Sequence, residues 1–231
     1  MKKILISLSA LVLTLFVLTG CGKIKKSEYG MNKTIETTPI SLEEAKTALG
    51  RITPIENESY MSIYVYGKIR GADFYGNVDV DLVNVKASAS IEIGAVGGMI
   101  GVGYLKAYLA NNVLKYAVSA DVAGINENSE KNVEFAATEE GINSLTQKAG
   151  FEYNDDYSKL FTEQEQASFG LDKSNNLVIE FEDSNAQLFR VVVDNDKVVF
   201  IGGSIDTKSD AQTITFNATI TYGSANVVNP L

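Results

Sequence analysis

The sequence contains no histidine and no tryptophan, and its only cysteine is Cys21. Lack of histidine removes the side chain that titrates nearest neutral pH. General-base chemistry built on imidazole and histidine-ligated metal sites are therefore excluded. One cysteine cannot form a disulfide within a molecule, and an unpaired exposed thiol is a liability outside the cell. The absence of tryptophan weakens a sugar-stacking role, although 11 tyrosines remain. Positive charge is also scarce. Twenty Lys and Arg face 29 Asp and Glu, so there is no electrostatic case for a nucleic-acid partner.

What is present begins at the amino terminus. Lys2 and Lys3 precede an apolar run from Ile4 to Leu18, and small residues follow up to Cys21. This order is that of a secretory signal peptide. The run is shorter than the roughly 20 residues of a stable membrane span. Leu18, Thr19, Gly20 and Cys21 resemble the lipobox of bacterial lipoproteins. The resemblance implies that the Cys21 sulfur receives a diacylglyceryl group and that the chain is cut before it. It also implies durable anchoring by palmitate-type acyl chains, which takes two chains. With no twin-arginine pair, export through the general secretory route is expected. The expected location is the cell membrane, lipid-anchored, on the extracytoplasmic side.

Cleavage leaves 211 residues (231 less the 20 before Cys21), enough for one domain with a sizeable core. Loss of Lys2 and Lys3 leaves 18 basic residues against 29 acidic, a charge of −11. Such acidity favours solubility. The expected organisation is a signal peptide over 1–20, a lipidated cysteine and flexible tether over 21–40, and a single β-rich domain over 41–231. The tether carries Lys23, Lys25 and Lys26 beside the lipid, where anionic headgroups favour them.

Ser41-Leu42-Glu43-Glu44 has the form of a helix capping box, and Gly50 is placed to end that helix. Further short helices are expected at 138–148 and 157–167. The rest alternates as strands. Met61, Ile63, Val65 and Ile69 share a face, as do Val78, Val80 and Leu82. The phase then slips to Val85, Ala87, Ala89, Ile91 and Ile93, which predicts a bulge or bend near Leu82-Val83. A hairpin at Asn111-Asn112 sets Leu105, Ala107 and Leu109 beside Leu114, Tyr116 and Val118. A second hairpin is expected at Asn195-Asp196. The last strand places Ile214, Phe216, Ala218, Ile220 and Tyr222 on one side. The expected class is mainly β (α+β): a strongly curved antiparallel sheet or incomplete barrel with two to three short helices packed on it.

An amino-terminal helix, long meandering strands, mid-chain helices and more strands behind a lipobox resemble the LolA/LppX group of lipoprotein carriers and lipid-binding lipoproteins. The ending, from Ile220-Thr221-Tyr222 to Val227-Val228-Asn229-Pro230, is similar to that of some Gram-positive members. The resemblance implies an incomplete barrel whose apolar concave side holds acyl chains.

No catalytic residues, cofactor or metal site emerge. The glycine-rich stretch from Gly94 to Gly103 lacks the lysine of a phosphate-binding loop and leads into no helix, so a turn and a kinked strand are expected. Asp79 and Asp81 alternate on a strand, Asp155-Asp156 lie in a loop, and Asp194, Asn195 and Asp196 form a turn. None continues as a calcium loop. Small residues on a core face admit either a tightly packed helix or a cavity. For a cavity, the expected apolar lining is Val85, Ala87, Ala89, Ile91, Leu105, Ala107, Phe216 and Ile220. The function expected from sequence is therefore a membrane-anchored lipoprotein, not an enzyme, that binds a lipid or other apolar ligand. The alternative is a cell-surface structural or interaction lipoprotein, for which Tyr64, Tyr66 and Tyr108 would be exposed contacts. Its protein partner is not indicated by the sequence.

Overall fold

A computed structural model describes residues 27–53, 57–69, 72–94, 103–111, 113–122, 125–134, 167–182, 188–207 and 212–231. Among them are β1 (Thr38–Pro39), α1 (Leu42–Leu49), β2 (Tyr60–Ile69), β3 (Ala72–Asp81), β4 (Lys86–Ile93), β5 (Gly103–Ala110) and β6 (Val113–Val122). These are followed by β7 (Ile125–Glu134), β8 (Ser168–Leu171), β9 (Leu177–Glu182), β10 (Leu188–Asp194), β11 (Lys197–Thr207) and β12 (Gln212–Tyr222). The expected helices at 138–148 and 157–167 fall outside the described residues except for Ala167, which is not helical. No helix among the described residues is long and apolar enough to cross a membrane. The chain divides into two compact units, one built on residues 55–153 and 221–231, the other on 25–54 and 154–220.

The first unit is an antiparallel meander in which β2 to β7 pair in sequence order. Strand alternation places one row of side chains, Met61, Val80, Ala87, Leu109 and Leu114, across five strands. The next row is Ile63, Val78, Ala89, Ala107 and Tyr116, and the third is Val65, Gly76, Ile91, Leu105 and Val118. This is the face the apolar pattern selects: Ile63, Phe74, Val78, Val80, Ile91 and Ile93 are all buried. The hairpin at Asn111 has the expected register, Leu109 opposite Leu114 and Ala107 opposite Tyr116. The phase slip is not a bulge but a four-residue turn, 82–85, between two strands. The Asp81 carboxylate caps that turn, accepting from the Val83 amide at 3.0 Å and the Asn84 amide at 2.9 Å.

The second unit pairs β1, β8, β9, β10, β11 and β12, all antiparallel. The β10–β11 hairpin turns at Asn195 and Asp196 as expected, both with positive φ (47° and 61°), the geometry that suits tight hairpins. Helix α1 opens with the expected capping box. The Ser41 hydroxyl accepts from the Glu44 amide at 3.3 Å, and Glu44 Oε2 accepts from the Ser41 amide at 2.8 Å. Ala45 and Leu49 are buried, whereas Leu42 is 40% exposed in the first turn. Gly50 ends the helix, in a right-handed rather than left-handed conformation.

Unlike those of the first unit, these strands are apolar on both faces. Ile179, Val191, Ala218 and Ile220 are buried on one side, and Val178, Val192 and Phe200 form a buried cluster on the other. The runs Leu177-Val178-Ile179 and Val191-Val192-Val193 account for this, since an unbroken apolar strand needs cover on both sides.

Candidate functional site

The first candidate site is the alanine patch of the meander. Ala89 lies opposite Ala107, and Ala87 is the next inward residue on β4. Together with Val78, Leu109 and Leu114 they floor a half-open apolar depression of about 10 Å³. That is room for about one water-sized group. Ala87 is 8% and Ala107 7% exposed, so solvent just reaches the floor. Methyl side chains between longer neighbours leave the gap.

Six of the eight expected lining residues lie in this unit. Ala87, Ala89 and Ala107 meet at the depression; Ile91 and Leu105 are cross-strand partners in the adjoining row, and both are buried. Val85 departs from expectation. It is in the turn, half-buried, with φ of 53°, and so is not on the strand with the others. Phe216 and Ile220 are on β12 in the second unit, where the Phe216 ring lies against Gly203. Cys21, Leu18, Thr19 and Gly20 lie outside the described residues.

The opposite face of the meander is polar and aromatic. Tyr75 donates to Glu92 at 2.6 Å, and the Lys106 ammonium sits 5.2 Å from the Tyr104 ring centroid. Tyr64 and Tyr108 are half-buried. Tyr66, expected to be exposed, is 4% exposed, its ring packed 5.9 Å from that of Tyr64.

The second candidate site went unrecognised in the sequence. Residues 27–40, expected to belong to a flexible tether, are instead bound as a strap on the strands of the second unit. The cause is the apolar cluster of that face, against which Tyr29 and Ile35 pack. Tyr29 meets Phe200 at 6.0 Å between ring centroids. Met31 fits over Gly202, where an added Cβ would lie 2.8 Å from its Cγ.

On this face Arg190 is buried, 4% exposed. Its Nη1 donates to the carbonyls of Tyr29 at 2.8 Å and Gly30 at 2.9 Å, and its Nη2 to that of Lys33 at 3.0 Å. The Lys33 amide donates to the Gly30 carbonyl at 2.8 Å, closing the turn that gathers these carbonyls. Glu180 balances the charge, accepting from Arg190 Nε at 2.7 Å and also from Nη2. Asn217 Oδ1 accepts from the Met31 amide at 2.7 Å. Beyond it, β1 pairs with β8, and the Ile40 amide donates to the Phe169 carbonyl at 3.1 Å.

Asp172 also holds the start of the strap, through the side chain of Tyr29. Its Oδ2 accepts from the Tyr29 hydroxyl at 2.8 Å, and its Oδ1 accepts from the amides of Ser174 at 2.7 Å and Asn176 at 2.9 Å. Burial, then the bond to Asp172, pushes the Tyr29 phenol up to about 12. Burial also pushes the Asp172 carboxyl up, but the hydrogen bonds from Asn176, Tyr29 and Ser174 outweigh it and hold the group below the ordinary value. Every member is satisfied and none is poised as an acid or base, so the cluster serves attachment.

No group of three or more metal-binding side chains occurs among the described residues. Asp79 lies on the outer face of β3, Asp81 caps its turn, and Asp194 to Asp196 form the expected hairpin; Asp155-Asp156 lie outside the described residues. No protein-family model matches this chain, and neither does any curated protein.

Proposed function

We propose that this chain is an extracytoplasmic lipoprotein, anchored to the membrane through Cys21, that binds an apolar ligand over the alanine floor of the meander. Anchoring rests on the lipobox of Leu18 to Cys21 behind an apolar signal run. The observation that carries the ligand reading is the meeting of Ala87, Ala89 and Ala107 at one half-open apolar depression. As it stands the depression admits a water-sized group, so a longer acyl chain requires the face to open around it. Each methylene then buried contributes about 0.8 kcal/mol, and no charged contact is needed. The protein is not an enzyme in this reading. It has no histidine, and its cysteine is taken by lipid.

A second reading, a cell-surface interaction protein, is favoured by the outer face, where Tyr64, Tyr104 and Tyr108 are half-buried among polar neighbours. Native mass spectrometry and uptake of a fluorescent fatty acid by the mature chain separate the two. The ligand reading expects bound lipid, and expects Ala89→Trp to abolish uptake while the protein stays folded. No lipid, no uptake and unfolding by Ala89→Trp would leave the interaction reading in its place. Anchoring is tested separately. Cys21→Ala should leave the membrane fraction or accumulate as an uncut precursor; unchanged maturation and fractionation would rule lipidation out.

A further inference from the structure

We infer that Arg190 is a clasp that shortens the membrane leash by folding residues 27–33 back onto the strands of the second unit. This rests on the anchoring of Cys21 proposed above. A flexible tether of the expected length would let the domain range far from the bilayer. From Cys21 to Ser27 a fully extended chain spans at most about 20 Å. Released as far as Thr37, it would span about 55 Å. The difference is set by whether the strap is held.

The chemistry of the hold is specific. A greasy strap needs only apolar contacts to cover Val178, Val192 and Phe200. Here a buried guanidinium is used as well, and it grips three main-chain carbonyls of one turn, those of Tyr29, Gly30 and Lys33. Main-chain carbonyls give the grip a fixed position along the chain: the strap cannot slide by a residue without breaking all three bonds. The side chain of Asn217 adds a fourth fixed point at the Met31 amide. The point at which the leash leaves the sheet is thus defined to one residue, and the second unit stays close to the membrane surface.

The test uses the full lipidated protein on supported bilayers, with a donor dye at Lys46→Cys on α1 and an acceptor in the lipid. The mass of the amino-terminal peptide reports lipidation of Cys21. Energy transfer should be strong for the clasped protein and should drop steeply in Arg190→Gln, as the reach grows from about 20 to about 55 Å. A flexible insertion after Lys26, which lengthens the leash with the clasp intact, calibrates the drop. Hydrogen exchange on the parent protein supplies a measurement that needs no variant: the amides of Met31 and Lys33 should be protected. Transfer unchanged by Arg190→Gln while the insertion lowers it would overturn the clasp. Open-chain exchange at Met31 and Lys33 would overturn it too, even if the variant fails to fold. A peptide mass without lipid would remove the leash altogether, and is distinguished from failure of the clasp because the amides would remain protected.

Discussion

The Tyr29 hydroxyl donates to Asp172 Oδ2 at 2.8 Å, tying the start of the strap to a β-turn 143 positions later. The bond exists only with Tyr29 protonated. Because folding raises the phenol to about 12, its contribution is whole below pH 10, the ordinary tyrosine value, and is lost as pH rises from 10 to about 12. An alkaline absorbance titration should show a step at about 12, and Tyr29→Phe should remove that step. Asp172 behaves in the opposite sense. Its folded value is lowered, so its contribution is present above the ordinary aspartate value of about 3.9 and is lost as pH falls through the folded value. Asp172→Asn should therefore flatten the acid limb of the stability profile. An unchanged limb would assign acid sensitivity to other carboxylates.

Removing Arg190 should destabilise the second unit sharply. Arg190→Ala strands three strap carbonyls and leaves Glu180 without its partner. Leaving those buried carbonyls unsatisfied costs about 1–3 kcal/mol, to which the partly exposed Glu180 adds little. Urea unfolding followed by tyrosine fluorescence should show a lower midpoint, equivalent to a loss of unfolding free energy of that size. Glu180→Gln should cost less, because Glu180 is partly exposed and the amide oxygen still accepts from the guanidinium. Equal losses for the two would mean that charge, not the carbonyl grip, dominates.

Gly76 fixes how closely β3 and β4 approach. A Cβ there would fall 2.2 Å from the Ser90 carbonyl oxygen and 2.6 Å from the Ile91 Cα, both main-chain atoms that cannot swing away. Gly76→Ala should lower the stability of the meander by about 1–3 kcal/mol, the usual cost of overpacking. The measurement is the urea midpoint together with hydrogen exchange at the β3–β4 amides. A midpoint within error of the parent would mean the strands are farther apart than this geometry requires.

Much of the first unit was legible in the sequence, because its sheet buries one face and alternation reports that directly. The register at Asn111 follows from Leu109 and Leu114 both needing the inside. The slip near Leu82-Val83 predicts a bulge or bend and does not single out a four-residue turn, because a phase slip between two apolar sets looks the same in each case. The second unit was less legible. Its valine runs carry no alternation, and the signal they do carry, that both faces need cover, does not say what provides it. The strap looks like a tether in the sequence because residues 27–40 are mostly polar and aperiodic. Their attachment uses main-chain carbonyls and amides, which every residue has.

The sequence alone determined local matters: the capping box at Ser41, the hairpin at Asn195-Asp196, and the antiparallel strands in chain order. It also excluded imidazole chemistry by composition. These depend on neighbours within a few residues, where propensity, turn geometry and period-two alternation act. Tertiary structure decided that Arg190 meets the carbonyl of Tyr29 across 161 positions and that Ala87, Ala89 and Ala107 floor one depression. Partners so distant are chosen by which faces remain uncovered once the strands have paired, and a local pattern cannot encode that choice.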